Sequence, residues 1–217
     1  MNILSVQRGL VAALQAELDR CDANADVCAI VVCGTGMYFS AGADVNDFDN
    51  NPGVAVQALR CLINGLDSVQ KPIVIALNGP AFGGGLELAL AGHYRIAVPR
   101  IAVGLPEVTL GLIPGAGGTQ RLPRLCGLRA AIEMIESGKP ISVERAAELG
   151  IVDQIVETDL EGAAVRAALD LARTGARRRT RDRTVSDEHA PTILEDGRRK
   201  AAGRSRFGKA PQYALDC

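Results

Sequence analysis

Two carboxylates and two glycine-rich turns are the parts of this chain best suited to chemistry. Glu87 lies three residues past Gly84, in the apolar setting LELAL, and Glu107 is a second carboxylate in the apolar stretch GLPEVTLGLIPGAGGTQRL. Taken singly, Glu87 reads equally well as a helix N-terminal charge and Glu107 as a loop acid. Side by side, two such acids can divide acid and base work. The turns give them a reason to meet. FSAGAD (residues 39–44) follows one apolar strand and NGPAFGGGLE (residues 78–87) follows another. In a parallel sheet both loops leave at the same end, where ligands of α/β folds bind. A glycine-rich turn opening a helix leaves N–H groups without intrahelical partners, and the helix dipole there favours developing negative charge. One N–H from each loop, flanking a single carbonyl oxygen, would form an oxyanion hole.

Other chemistries lack their residues. GTG at Gly34–Gly36 has Phe39 where a dinucleotide fingerprint needs its third glycine, and neither Gly83-Gly84-Gly85 nor Gly115, Gly117 and Gly118 is followed by the Lys-Ser or Lys-Thr of a phosphate-binding loop. Ser40 has Tyr38, not Gly, two places before it, so it is no nucleophile elbow. The six cysteines form no CxxC pair and there are only two histidines, so no metal site is expected. The thiols read as small buried side chains in a reducing compartment. No run of about 18 apolar residues is present, and the N-terminal MNILSVQRGL has no secretory pattern, so no membrane span is expected and a cytoplasmic location is.

With 217 residues, 47% hydrophobic and 23% charged, the chain is long enough for one domain, or one domain and an appendage. Trp is absent and aromatics are 3%, which argues against base-stacking nucleic-acid platforms. The overall charge of −1 hides an asymmetry: residues 1–172 carry −7 and residues 173–209 carry +7. The run ARRRTRDR (residues 176–183) has no recognition motif beside it and reads as a solvated basic face pairing with the acidic body, with no nucleic-acid partner.

The elements that must position the acids follow from periodicity. Leu10, Val11, Leu14 and Leu18 predict an amphipathic helix over residues 6–22, and CAIVVCG from Cys28 predicts a buried strand. Val54, Leu59, Leu62, Ile63 and Leu66 mark a second helix that Lys71-Pro72 stops, ahead of a buried strand over 73–77. A short helix follows the glycine turn. Strands are expected at 94–98, 101–103 and 151–156, with helices near 116–126, 128–137, 143–149 and 160–173. Residues 175–217 lose strand signals and should be basic and helical. The alternation predicts an α/β fold with mostly parallel pairing, a core over residues 1–158 and a helical basic segment over 159–217.

FSAGAD, KPIVIALNGPAFGGGLELAL, LPEVTLGLIPGAGGTQRLPRLCG and ISVERAAELGIVDQIV together resemble the crotonase, or enoyl-CoA hydratase/isomerase, family over roughly residues 2–157. From about Thr180 the tail is similar to the link that follows the hydratase half of bifunctional fatty-acid β-oxidation enzymes. The resemblance implies a ββα spiral of two roughly perpendicular sheets, usually trimeric or a dimer of trimers. It places the oxyanion N–H groups on Ala43 and Gly84 and makes Glu87 and Glu107 the catalytic pair. It puts the coenzyme A adenine near Ala41, Ala43, Asp44 and Val45, and the acyl pocket near Pro106 and Gly115. The activity implied is hydration of a 2-trans-enoyl-CoA to a 3-hydroxyacyl-CoA, with Glu107 supplying the proton at C2, Glu87 activating water, and no cofactor beyond the substrate's own coenzyme A. Basic side chains should line the coenzyme A entrance, some from the basic tail. The alternatives are a Δ3,Δ2-enoyl-CoA isomerase and a catalytically weak acyl-CoA-binding or assembly subunit. The last is motivated by the apparent lack of the first hairpin of the family, which would leave an open sheet edge.

Overall fold

The computed structural model describes residues 2–5, 7–44, 46–47, 52–176, 178–185, 189–203 and 208–217. In chain order the elements are α1 (Leu10–Ala23), β1 (Ile30–Cys33), α2 (Pro52–Ser68), β2 (Ile73–Leu77), β3 (Ala81–Phe82), α3 (Gly84–Ala91), β4 (Tyr94–Ala97), β5 (Ala102–Gly104), a 3-10 turn (Glu107–Leu110), α4 (Gly118–Cys126), α5 (Leu128–Ser137), β6 (Ile141–Ser142), α6 (Val143–Glu148), β7 (Gln154–Ile155), α7 (Leu160–Thr174), a second 3-10 turn (Thr180–Asp182), α8 (Ala190–Ala202) and α9 (Ala210–Leu215).

The strand β2 explains the architecture. Its five residues IVIAL are apolar on both faces and all fully buried, as expected of a strand covered on two sides. It pairs in parallel with β1 (Ile30 opposite Ile73) and with β4 (Val74 opposite Tyr94), and β4 pairs in parallel with β7. Because side chains alternate along a strand, Ile73, Ile75 and Leu77 point into the main core with Leu62, Ile63 and Leu66 of α2 and Leu86 and Leu90 of α3. Val74 and Ala76 point the other way, onto Ala163, Ala164 and Ala168 of α7. Those alanines let α7 lie close against the sheet. A second sheet pairs β3 with β5 in parallel and β5 with β6 antiparallel. Isolated bridges Ser40–Ala81 and Leu4–Ala43 stitch the loop after β1 to that sheet and to the N-terminal segment.

Several details depart from the expectations. The strand β1 is the outermost strand of its sheet, so only Ile30 is buried, Val31 and Val32 are half-buried and Cys33 is exposed. Helix α1 begins at Leu10 because Gly9 takes a left-handed φ of 75°, which ends the helix on its N-terminal side; Val6 lies outside the described residues. The strand expected over 151–156 pairs only at Gln154 and Ile155, since the N–H groups of Ile151 and Val152 turn back to the Ala146 carbonyl at the end of α6. Strands β3 and β6, two residues each, are too short to show a period. The six cysteines, expected as buried thiols, are free and lie half-buried or exposed.

The basic segment is docked, not loose. Buried Arg95 pairs with Asp153 at 2.7 Å and donates to the Ile151 and Gly92 carbonyls. Arg178 reaches the same Asp153 at 3.2 Å and lies over the Tyr94 ring. Arg179 donates to the Val69 carbonyl and Thr180 is fully buried. Helices α8 and α9 pack on each other and on α5. Among the described residues no helix is long and apolar enough to cross a membrane.

Candidate active site

The loops that leave β1 and β2 are zipped together before they reach the acids. The Asn78 side chain accepts from the Gly34 N–H at 2.9 Å and donates to the Gly36 carbonyl at 2.8 Å. A Cβ on Gly79 would lie 2.0 Å from the Met37 carbonyl oxygen, so only glycine permits this approach. The pairing continues as Phe82 N–H donates to the Ser40 carbonyl at 3.0 Å. Each loop then turns on a glycine: Gly42, two residues past Ser40, at φ 97°, and Gly83, next after Phe82, at φ 51°.

Ala43 and Gly84 are thereby brought side by side. A Cβ on Gly84 would stand 3.4 Å from the Ala43 nitrogen, and one on Gly42 would stand 3.3 Å from the Gly84 nitrogen. Leu4 N–H donates to the Gly42 carbonyl and Asp44 N–H to the Leu4 carbonyl, a bridge that leaves the Ala43 N–H on the opposite side. Gly84 is the first residue of α3, where an N–H has no intrahelical acceptor. Neither N–H has a hydrogen-bond partner among the described residues. Both residues line a cavity of about 950 Å³ that Glu87 and Glu107 also line.

Glu87 sits one turn into α3, 2% exposed, and its Oε1 accepts from the N–H groups of Ala116 and Gly118, each at 2.8 Å. Those donors come from the turn at the start of α4, where Gly117 takes a left-handed φ of 106° ahead of the first helical residue, Gly118. Burial raises the Glu87 pKa, while the two N–H groups and the charges of Arg121 and Arg60 oppose the rise. Glu107 opens the first 3-10 turn, and its Oε1 would stand 2.9 Å from a Cβ on Gly83, beside the turn that leads into α3. Burial, and then the charge of Glu87, push Glu107 up to about 8. Its Oε2 is buried without a partner among the described residues. Of the two acids, Glu87 therefore has the donors that hold a carboxylate, and Glu107 has surroundings that keep a proton.

Of the remaining candidates, Ala41, Pro106 and Gly115 line the cavity, and the Gly115 carbonyl accepts from Arg60 Nε at 3.0 Å. Asp44 is not in the lining. It is buried, accepts from the Asn46 backbone and side chain, and faces Arg8 at 3.6 Å, contacts that hold its carboxyl below the usual range. Val45 lies outside the described residues. Sequence reasoning missed Asn78, the Ala116 and Gly118 donors and the buried Arg121–Asp67 pair; the basic tail expected near the cavity does reach it, through Arg181. The PGAGG run carried a signal for the two donors, since glycines at a helix start expose N–H groups to a neighbouring acid.

Comparison with known proteins identifies the family. Residues 2–186 match the family described as enoyl-CoA hydratase/isomerase. The chain is 45% identical over 148 residues to a probable enoyl-CoA hydratase of Bacillus subtilis (strain 168), covering 66% of this chain and 57% of that protein. It is 51% identical over 140 residues to the peroxisomal bifunctional enzyme of Homo sapiens, covering 64% of this chain and 19% of that protein. It thus spans about a fifth of the bifunctional enzyme's length and somewhat over half of the bacterial hydratase's. The crystal structure of enoyl-CoA hydratase from Bacillus anthracis superposes with a TM-score of 0.73 at 32% identity, over 98% of this chain and 81% of that one. The fold is that of the crotonases, and the chain belongs to the enoyl-CoA hydratase/isomerase family.

Proposed function

We propose that this chain adds water across the double bond of 2-trans-enoyl-CoA thioesters, giving 3-hydroxyacyl-CoA, as a step of fatty-acid β-oxidation. The observation that carries the reading is the pair of N–H groups without partners among the described residues, on Ala43 and Gly84, in the same cavity as buried Glu87 and half-buried Glu107. The thioester oxygen accepts from both N–H groups, which stabilise the enolate-like charge of the transition state; in other enzymes one such donor contributes about 3 kcal/mol. Glu87, the member whose two N–H donors oppose the rise that burial brings, takes a proton from water as its oxygen bonds to C3. Glu107, the protonated member, gives its proton to C2. The sum is addition of H and OH, with no change of redox state, so the reaction calls for no cofactor. Two acids in place favour this reading over Δ3,Δ2 isomerisation, which needs one carboxylate.

The coenzyme A is proposed to leave past Ala41, the assembly to be a homotrimer or dimer of trimers, and the place of work to be the cytoplasm, on the likeness to the bacterial hydratase. The test is loss of enoyl absorbance from crotonyl-CoA. Glu87→Gln or Glu107→Gln should lower the rate at least about 100-fold. Turnover unchanged by both substitutions overturns the proposal, binding of thioesters without turnover favours an assembly role, and action on 3-enoyl substrates alone favours the isomerase.

A further inference from the structure

Glu87 is held by two peptides, and each of these is held in turn at its other end. A trans peptide points its C=O and its N–H in opposite directions, so a donor on the oxygen fixes where the N–H aims. The Gly118 N–H shares its peptide with the Gly117 carbonyl, which accepts from the Arg121 N–H at 2.8 Å and the Gln120 N–H at 3.1 Å in the first turn of α4. The Ala116 N–H shares its peptide with the Gly115 carbonyl, whose donor is a side chain of another element: Arg60 Nε of α2, at 3.0 Å. The line runs from the Arg60 guanidinium through the Gly115 carbonyl and the Ala116 N–H to Glu87 Oε1, and its last bond is 2.8 Å long. A cation at one end and a carboxylate at the other polarise the peptide between them in the same sense, so each bond strengthens the other.

Helix α2 is placed for this task. Arg60, Asn64 and Asp67 recur on it at helical spacing, and Asn64 and Asp67 accept from Arg121, whose Nη1 donates to the next carbonyl of the turn, that of Ala116. A Cβ on Gly115 would stand 3.2 Å from Cγ1 of Val56, one turn before Arg60, so helix and turn already touch. The charged groups on the elements around Glu87 are Arg60 and Asp67 from α2, Arg121 and Arg124 from α4, Glu107 from the first 3-10 turn, and Arg181 beside Asp182 from the second; β3 carries none. Of these, Arg121 and Arg60 are the cations whose charges oppose the rise that burial brings to Glu87. Arg121 is buried and already paired with Asp67. Arg60 is exposed and has no ion pair among the described residues, so it can be changed without opening the core.

We propose that Arg60 is a positioning residue for the hydration: through the Gly115–Ala116 peptide it holds an N–H on Glu87 and so keeps that carboxylate ready to accept the proton of water. The inference rests on the hydratase reading and deepens it. Two substitutions separate the bond from the charge. Arg60→Met keeps an unbranched side chain and removes both. Arg60→Gln removes the charge but sets Nε2 as many bonds from Cα as arginine sets Nε, so the Gly115 carbonyl keeps a donor. The experiment measures kcat and KM for crotonyl-CoA across pH in the natural protein and both variants. Losing the donor destabilises the ionised form of Glu87, so its pKa rises and activity is lost earlier as pH falls. Arg60→Met should lower kcat about tenfold and move the acid limb of kcat/KM up by about half a pH unit or more, with KM within about twofold, and Arg60→Gln should restore most of both. An unmoved acid limb in Arg60→Met overturns the proposal. So does Arg60→Gln behaving like Arg60→Met, which would leave a charge effect alone, and so does a rise in KM with kcat intact, which would mark Arg60 as a coenzyme A ligand. Failure of the natural protein to hydrate crotonyl-CoA refutes the hydratase reading alone. The relay is then decided by the titration of Glu87 itself, read from infrared carboxylate bands of each protein in difference against its Glu87→Gln form. A higher pKa in Arg60→Met that Arg60→Gln brings back supports the relay, and the same pKa in all three refutes it.

Discussion

Replacing Glu107 by glutamine should make the protein more stable and far less active, and the size of the first effect follows from the site. An ordinary glutamate titrates near 4.5, while burial and the neighbouring Glu87 push Glu107 up to about 8. The folded state therefore holds a proton that the unfolded chain releases. Stability from this site is complete below about pH 4.5 and drains away as pH rises to about 8, above which the loss is constant. Glutamine keeps the shape without the proton. Its advantage over the natural residue should grow from about 1 kcal/mol near pH 5 to about 5 kcal/mol near pH 8.5, an upper figure because the cavity is partly open to water. Urea unfolding of both proteins across that range measures the difference directly. A gap that does not widen with pH, or a Glu107→Gln protein less stable than its parent at alkaline pH, would refute the assignment of Glu107 as the protonated acid.

Activity should fall on the alkaline side as Glu107 loses its proton through about pH 8, so the kcat/KM profile for crotonyl-CoA should bend there; a flat profile to pH 9 would place the proton elsewhere. Gly42→Ala sets a Cβ 2.8 Å from the Phe82 carbonyl at a φ of 97°, beside the Gly84 nitrogen, and should cost about 100-fold or more in kcat, read as single-turnover hydration. Asn78→Ala removes both bonds between the two loops and should cost about 2 kcal/mol in thermal unfolding together with a fall in kcat, because Ala43 and Gly84 then lose their registration.

The glycines made much of this site legible in advance. Gly42, Gly83 and Gly84 stand where two loops must touch, and Glu87 follows at one helical turn, so a parallel-sheet argument brings one N–H from each loop together, while the family resemblance singled out Ala43 and Gly84 and paired Glu87 with Glu107. The hydrophobic periods likewise found β2, α2, α5 and α7. What the chain hid were contacts that one residue cannot announce. That β1 is an outer strand depends on what its far side meets, not on CAIVVCG itself. Asp44 looked like part of a ligand loop, yet its carboxylate accepts from nearby Asn46 and faces Arg8 of the N-terminal segment, a partner 36 residues away that the loop cannot announce. Arg181 belongs to a run that reads as solvated surface, and only the anchoring of Arg178, Arg179 and Thr180 turns it toward the cavity.

Helix α7 has a consequence for how this protein can be divided. Ala163, Ala164 and Ala168 of this helix, with Leu160, Ala167 and Leu171 beside them, cover Val74, Ala76 and Ile96, the reverse side of the sheet from which both glycine-turn loops leave. A protease cut just before Leu160, followed by loss of the downstream piece, would bare that side of the sheet and leave Arg95 and Asp153 without the clasp of Arg178. The upstream piece would then gain a sticky apolar surface under its own catalytic loops, and aggregation would compete with refolding.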